Sequence, residues 1–202
     1  MQGGHRRIPW VTASVVAAAL ATWGAPAAVQ KLLLYDRGAV LQGEAWRLWS
    51  GHLVHFSASH LGWNLVVVGL AGAWIECSGF PAGGWFAALA PPAVSLALLA
   101  ADPSLRYCGG LSGLATAAVV FACVSELRRA SGPRALWWAA LAAVGVKIAV
   151  EARSGRSLFA HYASESVRTV PLSHLAGGCV GCAVALIAGA RGPAVKPPAE
   201  NR

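Results

Sequence analysis

The stretch Gly109-Gly-Leu-Ser-Gly-Leu-Ala-Thr-Ala-Ala-Val-Val-Phe-Ala-Cys-Val124 places a serine, Ser112, behind two glycines and at the head of an apolar run. The glycines allow the backbone to turn tightly and let another chain approach closely. The run predicts a helix, whose N-terminus offers unpaired amides and a positive dipole end to a developing oxyanion. The alternative interpretation is simpler, because serine is an ordinary N-terminal cap and Gly-x-Ser-Gly alone is a weak motif.

The composition of the chain is that of a membrane protein. The 202 residues are 56% hydrophobic and 12% charged, with a mean hydropathy of +0.56. Soluble domains carry about 25% charged residues, and about 20 residues per span leaves room here for about six helices. We therefore expect an all-α polytopic bundle of six transmembrane helices, forming one domain over residues 1–202. The predicted spans are residues 10–29, 58–78, 83–101, 112–128, 134–151 and 172–190.

The first apolar run begins at Trp10, after the basic residues 5–7, and so resembles a secretory signal peptide. It continues to about Val29, which is long enough to span a membrane, and Ala25-Pro-Ala-Ala is a poor processing site. We interpret the run as a retained transmembrane helix that Pro26 bends or ends.

The net charge of +8 does not indicate a nucleic-acid partner. The basic residues are scattered singly or in pairs, with no basic stripe interleaved with aromatics. Such an excess is typical of loops that face anionic headgroups, so we expect membrane lipids, and not nucleic acid, as partners. The stretch Glu44-Ala-Trp-Arg-Leu-Trp, which contains Trp46 and Arg47, fits a segment lying in the membrane interface.

The orientation follows from local charge pairs, because the basic residues as a whole show no majority on either predicted face. The arginine pairs at 6–7 and 128–129 favour a cytoplasmic N-terminus. An even number of spans then places the heads of the fourth and sixth spans on the outer face. Ser112 and His174 therefore share one predicted membrane depth.

The five cysteines include the spacing Cys179-x-x-Cys182, which invites a redox or zinc interpretation. That pair lies in an apolar helix with no second ligand pair, so we interpret both residues as small core side chains. Cys108 lies close to Ser112 in sequence, and we interpret it as a residue without a role in catalysis. The sequence predicts no metal site and no cofactor.

His174 heads the last apolar run and is a candidate general base. A neutral imidazole can accept the proton of a serine hydroxyl near neutral pH. The alternative is a histidine that caps a helix or reaches toward the interface. The run carries a small residue at every fourth position, a pattern for close packing of transmembrane helices: Gly177, Gly181, Ala185 and Gly189. Close packing against the fourth span is expected to bring His174 to Ser112.

His60 and Asn64 are spaced i, i+4 and project from one face of the second span. Both side chains donate hydrogen bonds, so together with the Ser112 amide they are candidates to stabilise a tetrahedral oxyanion. The alternative is a structural hydrogen bond between helices, which is common for both residue types.

Lys147 and Glu151 have the same i, i+4 spacing near the end of the fifth span. We interpret them as an ion pair that makes two membrane charges tolerable. Asp36 and Asp102 lie in loops, so no aspartate is placed to orient His174. The sequence therefore predicts a serine–histidine dyad and not a triad.

Four motifs occur in series: Glu44-x-Trp46-Arg47, His55-Phe-Ser-x-Ser-His60-x-x-x-Asn64, Gly110-Leu-Ser112-Gly113 and His174-x-x-Gly177. In this order they resemble the rhomboid intramembrane serine proteases over nearly the whole chain. The resemblance implies a six-helix core, with Ser112 as nucleophile and His174 as base. It implies oxyanion or substrate contacts from His60, Asn64, Gly110 and Leu111, and structural roles for Trp46, Arg47, Gly113 and Gly177.

Three further features resemble one branch of that family, the rhombosortases: Tyr35-Asp36-Arg37, Gly51-His52-Leu-Val-His55 and Lys147-x-x-x-Glu151, in a small chain. Rhombosortases are bacterial enzymes paired with exported proteins that end in a glycine-rich motif, a transmembrane helix and a basic cluster. The resemblance implies cleavage near that motif, in the bacterial inner membrane, with the active site facing the periplasm. One departure is Ser173, where many rhomboids have alanine.

Two alternatives stay open at the level of sequence. One is a general rhomboid protease that cleaves unrelated single-span proteins. The other is a non-catalytic rhomboid-like membrane binding protein, which the presence of both Ser112 and His174 disfavours. A transporter is disfavoured because the chain has no repeated pair of broken helices.

Overall fold

The computed structural model describes residues 8–80, 83–129, 133–162 and 168–189, and these residues are mainly helical. The long helices are α1 (Trp10–Trp23), α5 (Ala58–Cys77), α6 (Gly83–Ala101), α7 (Ser112–Arg129), α8 (Arg134–Ser154) and α9 (Pro171–Gly189). Between α1 and α5 lie α2 (Ala27–Leu33), α3 (Arg37–Leu41), α4 (Arg47–Ser50) and a 3-10 turn at Gly51–Leu53. Strands β1 (Tyr35–Asp36) and β2 (Tyr107–Cys108) form an antiparallel pair.

The described residues contain three helices that are long and apolar enough to cross a membrane: Ala58–Cys77, Arg134–Ser154 and Pro171–Ala188. Trp10–Trp23 and Trp85–Ala101 are shorter apolar helices. A helical backbone bonds all its interior amides within the segment, which lipid requires. The expectation of a helical membrane protein is confirmed.

The first helix is shorter than predicted. It ends at Trp23, whereas the apolar run predicts a span to residue 29, and α2 begins only at Ala27. Pro26 has no N–H to donate and disfavours a helical conformation of the preceding residue, so the helix stops before it. The other predicted spans agree with helices α5 to α9 to within a few residues.

Glu76, near the end of α5, binds the beginning of α1. Its carboxylate oxygens accept the amide protons of Val11 and Thr12 at 3.0 and 2.7 Å, and Oε1 also accepts the Thr12 hydroxyl. A carboxylate at a helix N-terminus satisfies free amides and complements the helix dipole. The start of α1 and the end of α5 therefore lie on the same side of the bundle.

Among the described helices, α7 and α9 form the closest backbone contact. A Cβ atom added at Gly177 would overlap the carbonyl oxygen of Gly113, and one added at Gly181 would overlap that of Ala117. The predicted small-residue face of α9 is thus confirmed at Gly177 and Gly181, while Ala185 is buried. This backbone-to-backbone packing fixes how far the start of α9 lies from the start of α7.

Helix α6 contains Pro91 and Pro92 without ending. Because Pro92 has no amide proton, the carbonyl of Ala88 lacks its helical partner. The indole Nε1 of Trp49 donates to that carbonyl at 3.0 Å. Next to it, His52 Nε2 lies 3.0 Å from the Pro91 carbonyl oxygen. Pro92 therefore frees one of the two carbonyls through which the first long loop is attached to α6.

Arg47 organises the rest of that loop. Its Nε donates to Glu44 Oε2 at 2.7 Å, and its Nη1 donates to the carbonyls of Lys31 and Leu34 at 2.9 and 2.6 Å. Trp46 is half exposed, and its indole donates to the Leu32 carbonyl at 3.4 Å. These contacts connect α2 to α4 at the edge of the bundle.

Candidate functional site

The N-terminal ends of three helices, α5, α7 and α9, meet at one cavity of about 620 Å³. The predicted site residues Ser112, His174, His60 and Asn64 all line it. Binding sites for small molecules are usually cavities of this size, with a few polar groups among apolar walls. The helices that the sequence predicted separately thus bring their polar ends to one place.

Ser112 begins α7 and is half buried at the cavity wall. Gly110, two residues before Ser112, has a backbone φ of +107°, which residues other than glycine rarely adopt. A Cβ at Gly110 would also overlap the His60 ring and lie 3.5 Å from Asn64 Nδ2. Glycine at this position is what lets the chain turn into α7 directly beside His60 and Asn64.

His60 and Asn64 are buried on one face of α5, as their spacing predicts. Within the described part of the chain, His60 Nδ1 and Asn64 Nδ2 have no hydrogen-bond partner. A buried polar group without a partner costs about 1–3 kcal/mol, so such groups beside a cavity favour a hydrogen bond to a ligand over a structural bond. The interpretation as a bond between helices has no support from these two atoms.

His55 contacts the backbone that leads to Ser112. Its Nε2 accepts the amide proton of Leu111 at 3.3 Å, while its Nδ1 lies 2.9 Å from the Leu53 carbonyl oxygen. This pattern requires a neutral ring with the proton on Nδ1. Burial lowers the pKa of His55 to about 4, so the neutral form persists in mildly acidic solution. The Leu111 amide is therefore engaged by His55 and is not free for an oxyanion in this arrangement.

His174 is buried at the start of α9, and its Nδ1 faces two charged side chains of α8. Glu151 Oε2 lies 2.8 Å from Nδ1, and Lys147 Nζ lies 3.1 Å from it. Lys147 also bonds Glu151 Oε2 at 2.6 Å, which confirms the predicted ion pair. The contact of Glu151 with His174 has no signal in the sequence, because the i, i+4 spacing indicates only Lys147 as a partner of Glu151.

Among the described residues, no hydrogen bond joins the Ser112 hydroxyl to His174, although both line the same cavity. Hydrogen bonds between catalytic groups are often long before a substrate is bound and tighten with it. The neighbouring Ser173 hydroxyl donates to the Val170 carbonyl at 2.8 Å, so it is directed at its own helix turn.

Two acidic groups near Ser112, the Cys108 thiol and the Tyr162 hydroxyl, stay protonated near neutral pH. Burial raises the pKa of Cys108 to about 11 and that of Tyr162 to about 12. A thiol must be deprotonated to act as a nucleophile, so Cys108 is unsuited to that role, as the sequence indicates. Tyr162 lies edge-on to His60 at 5.5 Å and was not predicted, since a single loop tyrosine gives no pattern.

Of the residues predicted for packing, Gly113 and Gly177 lie in the α7–α9 contact immediately beside the cavity. A Cβ at Gly113 would lie 3.0 Å from the Ser173 carbonyl oxygen. Cys179 and Cys182, farther along α9, are free thiols.

A family model described as "Rhomboid domain" matches residues 42–191. No curated protein is a significant match to the chain.

Proposed function

The chain belongs to the rhomboid family, a family of intramembrane serine proteases, and from this premise we propose that it is a serine endopeptidase acting within the membrane. Ser112 is the nucleophile and His174 the general base. The observation that carries the proposal is the cavity that both residues line together with His60 and Asn64, whose buried Nδ1 and Nδ2 atoms have no hydrogen-bond partner among the described residues.

In the proposed mechanism His174 Nε2 takes the proton of the Ser112 hydroxyl while Oγ attacks the carbonyl carbon of the scissile bond. The new C–O bond places negative charge on the carbonyl oxygen. The proton then passes from Nε2 to the leaving nitrogen as the C–N bond breaks. Water resolves the acyl-enzyme by the same steps with His174 as base.

His60 and Asn64 stabilise the oxyanion in this proposal, with the amide of Ser112. Donors that are already in place and shielded from water stabilise developing charge most strongly. The buried Asn64 amide nitrogen has no hydrogen-bond partner among the described residues, as expected of a donor that binds an oxyanion only during the reaction. Gly110 contributes the space that a side chain would fill.

We propose that six helices, α1 and α5 to α9, cross the membrane, with the cavity on the outer face. Ser112, His174 and His60 lie at the N-terminal ends of alternate helices, so they share one side. The arginine pair 128–129 at the opposite end of α7 fits the cytoplasmic side. In a bacterium this topology is that of an inner-membrane protein whose active site opens to the periplasm.

For the substrate we propose exported proteins with a C-terminal glycine-rich sorting tail, as the resemblance to rhombosortases implies. A peptide bond inside a helix is shielded by the hydrogen bonds of that helix. Each glycine destabilises a helix by about 1 kcal/mol relative to alanine. A glycine-rich junction at the membrane surface is therefore able to extend into the cavity more easily than a leucine-rich helix.

The test of catalysis uses full-length Ser112→Ala and His174→Ala expressed with a secreted reporter that carries such a tail. Each variant should accumulate in the membrane and leave the reporter uncut, whereas the control Ser173→Ala should process it at close to the wild-type rate. Labelling by a fluorophosphonate should be present in wild type and absent in Ser112→Ala. Normal processing of the reporter by Ser112→Ala would refute the proposal.

The test of substrate class compares two reporters that differ only in the tail. One has the glycine-rich junction before its transmembrane helix, and the other has alanine at each of those glycines. Mass spectrometry of the released product should locate a cut in the first and none in the second. Equal cleavage of both would favour a general rhomboid protease, and cleavage of neither with intact probe labelling would point to another substrate.

A further inference from the structure

The polar cluster behind His174 contains more than a pair of neutralising charges. Glu151 is completely buried, and its Oε2 contacts both Lys147 Nζ and His174 Nδ1. Its other oxygen, Oε1, accepts the amide proton of Leu158 at 3.1 Å. Both carboxylate oxygens are thus engaged, which holds the Glu151 side chain in one orientation against the histidine ring.

The surroundings of Glu151 argue against a role limited to pairing Lys147. The lysine side chain keeps 23% of its surface exposed, whereas that of Glu151 is 0% exposed. Helix α8, which is described over its whole length, buries only this residue. Burying a carboxylate is costly, and an ionisable residue at membrane depth is usually functional.

The proton on His174 Nδ1 decides what the ring can do. If Nδ1–H donates to Glu151, Nε2 carries a lone pair and can accept the serine proton. If Lys147 donates to Nδ1 instead, the proton of the neutral ring is on Nε2, and the ring cannot act as base there. Glu151 and Lys147 therefore favour opposite tautomers of the same histidine.

We propose that Glu151 is a positioning residue that holds His174 in the base-competent tautomer, and that Lys147 is its counter-ion. The proposal rests on the proposed function and extends the predicted dyad to Ser112, His174 and Glu151. During attack, the Ser112 proton moves to Nε2, the Nδ1 proton stays on the ring, and the Glu151 carboxylate stabilises the resulting imidazolium. The same proton later leaves Nε2 with the departing amine, so Glu151 gains and loses none.

The test measures how fast a fluorophosphonate labels the purified full-length chain in detergent, as a function of probe concentration. The variants are Glu151→Gln, Lys147→Met, the double variant, and Glu151→Asp. In a serine protease with intact geometry, the wrong histidine tautomer lowers the rate about 10⁴-fold. We expect the maximal labelling rate of Glu151→Gln to fall roughly 10²–10⁴-fold, with the half-saturating probe concentration unchanged.

The double variant separates positioning from charge pairing. It has no unpaired membrane charge, so its thermal unfolding should be near that of wild type, yet its labelling should stay as slow as in Glu151→Gln. Labelling of the double variant at the wild-type rate would overturn the proposal and leave Glu151 as an ion-pair partner.

Two single variants test the proposal if the double variant does not fold. Lys147→Met keeps the contact of Glu151 with His174 and should retain at least about a tenth of the wild-type rate. Glu151→Asp keeps a carboxylate and should label at least about tenfold faster than Glu151→Gln. Failure of either expectation counts against positioning by Glu151, whereas labelling of Ser112→Ala would instead contradict the proposed function itself.

Discussion

Gly177 of α9 lies so close to Gly113 of α7 that a Cβ atom on Gly177 would overlap the Gly113 carbonyl oxygen. Gly113 directly follows Ser112, and Gly177 lies about one helical turn after His174. The contact between the two glycines therefore sets the spacing of the proposed nucleophile and base.

Substituting Gly177 by alanine should push α9 away from α7. Overpacking of this kind costs about 1–3 kcal/mol, and the displacement should lower fluorophosphonate labelling at Ser112. Gly178→Ala is the matched control, because its Cβ would meet Thr116 and Val120 only at 3.9 Å. Thermal unfolding and labelling of both variants in detergent measure the difference. Equal behaviour of the two would show that the close contact does not position the site.

Gly110→Ala should abolish labelling by combining two effects. The residue has φ +107°, and its Cβ would overlap the His60 ring. Backbone strain alone costs about 1–3 kcal/mol. Gly43→Ala is the control for that part, since Gly43 has φ +103° and no atom within 4 Å of an added Cβ. If Gly43→Ala lost labelling to the same extent, the contact with His60 would not be the cause.

The long helices and the polar ends of three of them were predictable from the chain, because lipid forces backbone hydrogen bonds inside each segment and makes isolated polar residues conspicuous. Ser112, His60 and His174 each head an apolar run, so their meeting follows from helix direction. The pairing of β1 with β2, in which Tyr35 lies opposite Cys108, was not predictable, because two residues per strand are too few to show a periodic pattern.

The contacts of Glu151 and His55 belong to the part of the site that the sequence does not predict. The spacing of Glu151 predicts a partner on its own helix and is silent about His174 on the next one. His55 reaches the amide of Leu111, a residue far along the chain, and only tertiary packing brings the two together. Sequence patterns give the face of a helix, whereas such contacts depend on how neighbouring helices are set against each other.

A thiol reagent should not inactivate the protein through Cys108. With its pKa raised by burial to about 11, the thiolate fraction at pH 7 is roughly 10⁻⁴. Treatment with N-ethylmaleimide at pH 7 should leave fluorophosphonate labelling of Ser112 unchanged, and Cys108→Ala should label like wild type. Ser112→Cys provides the positive control for reagent entry, because its thiol would face the same cavity. Loss of labelling in wild type, but not in Cys108→Ala, would contradict this expectation.

Arg47→Lys should destabilise the fold although it preserves the charge. One guanidinium reaches Glu44 and the carbonyls of Lys31 and Leu34, and a lysine ammonium cannot reproduce that forked geometry. Leaving a buried acceptor without a partner costs about 1–3 kcal/mol, which thermal unfolding should detect. Arg106→Lys is the control, since Arg106 is exposed. A loss of stability no larger than that of the control would show that the loop does not depend on Arg47.

The stability of the protein should fall as the pH is lowered from about 6.5 to about 4, in part through His55. Its pKa is lowered by burial to about 4 in the fold, whereas an unfolded histidine has a pKa near 6.5. Between those values the unfolded chain binds the proton and the folded one does not, so acid favours unfolding by up to about 1.4 kcal/mol per pH unit. Above pH 6.5 both states are neutral, and this dependence disappears.

The variant His55→Gln isolates that contribution. Its side-chain oxygen can still accept the Leu111 amide proton, and glutamine does not titrate, so its unfolding free energy should change less between pH 6.5 and 4 than that of wild type. Other histidines are common to both proteins and cancel in the difference. Chemical unfolding in detergent at several pH values measures it. Parallel pH profiles for the two proteins would mean that His55 is not held neutral by its burial beside Leu111.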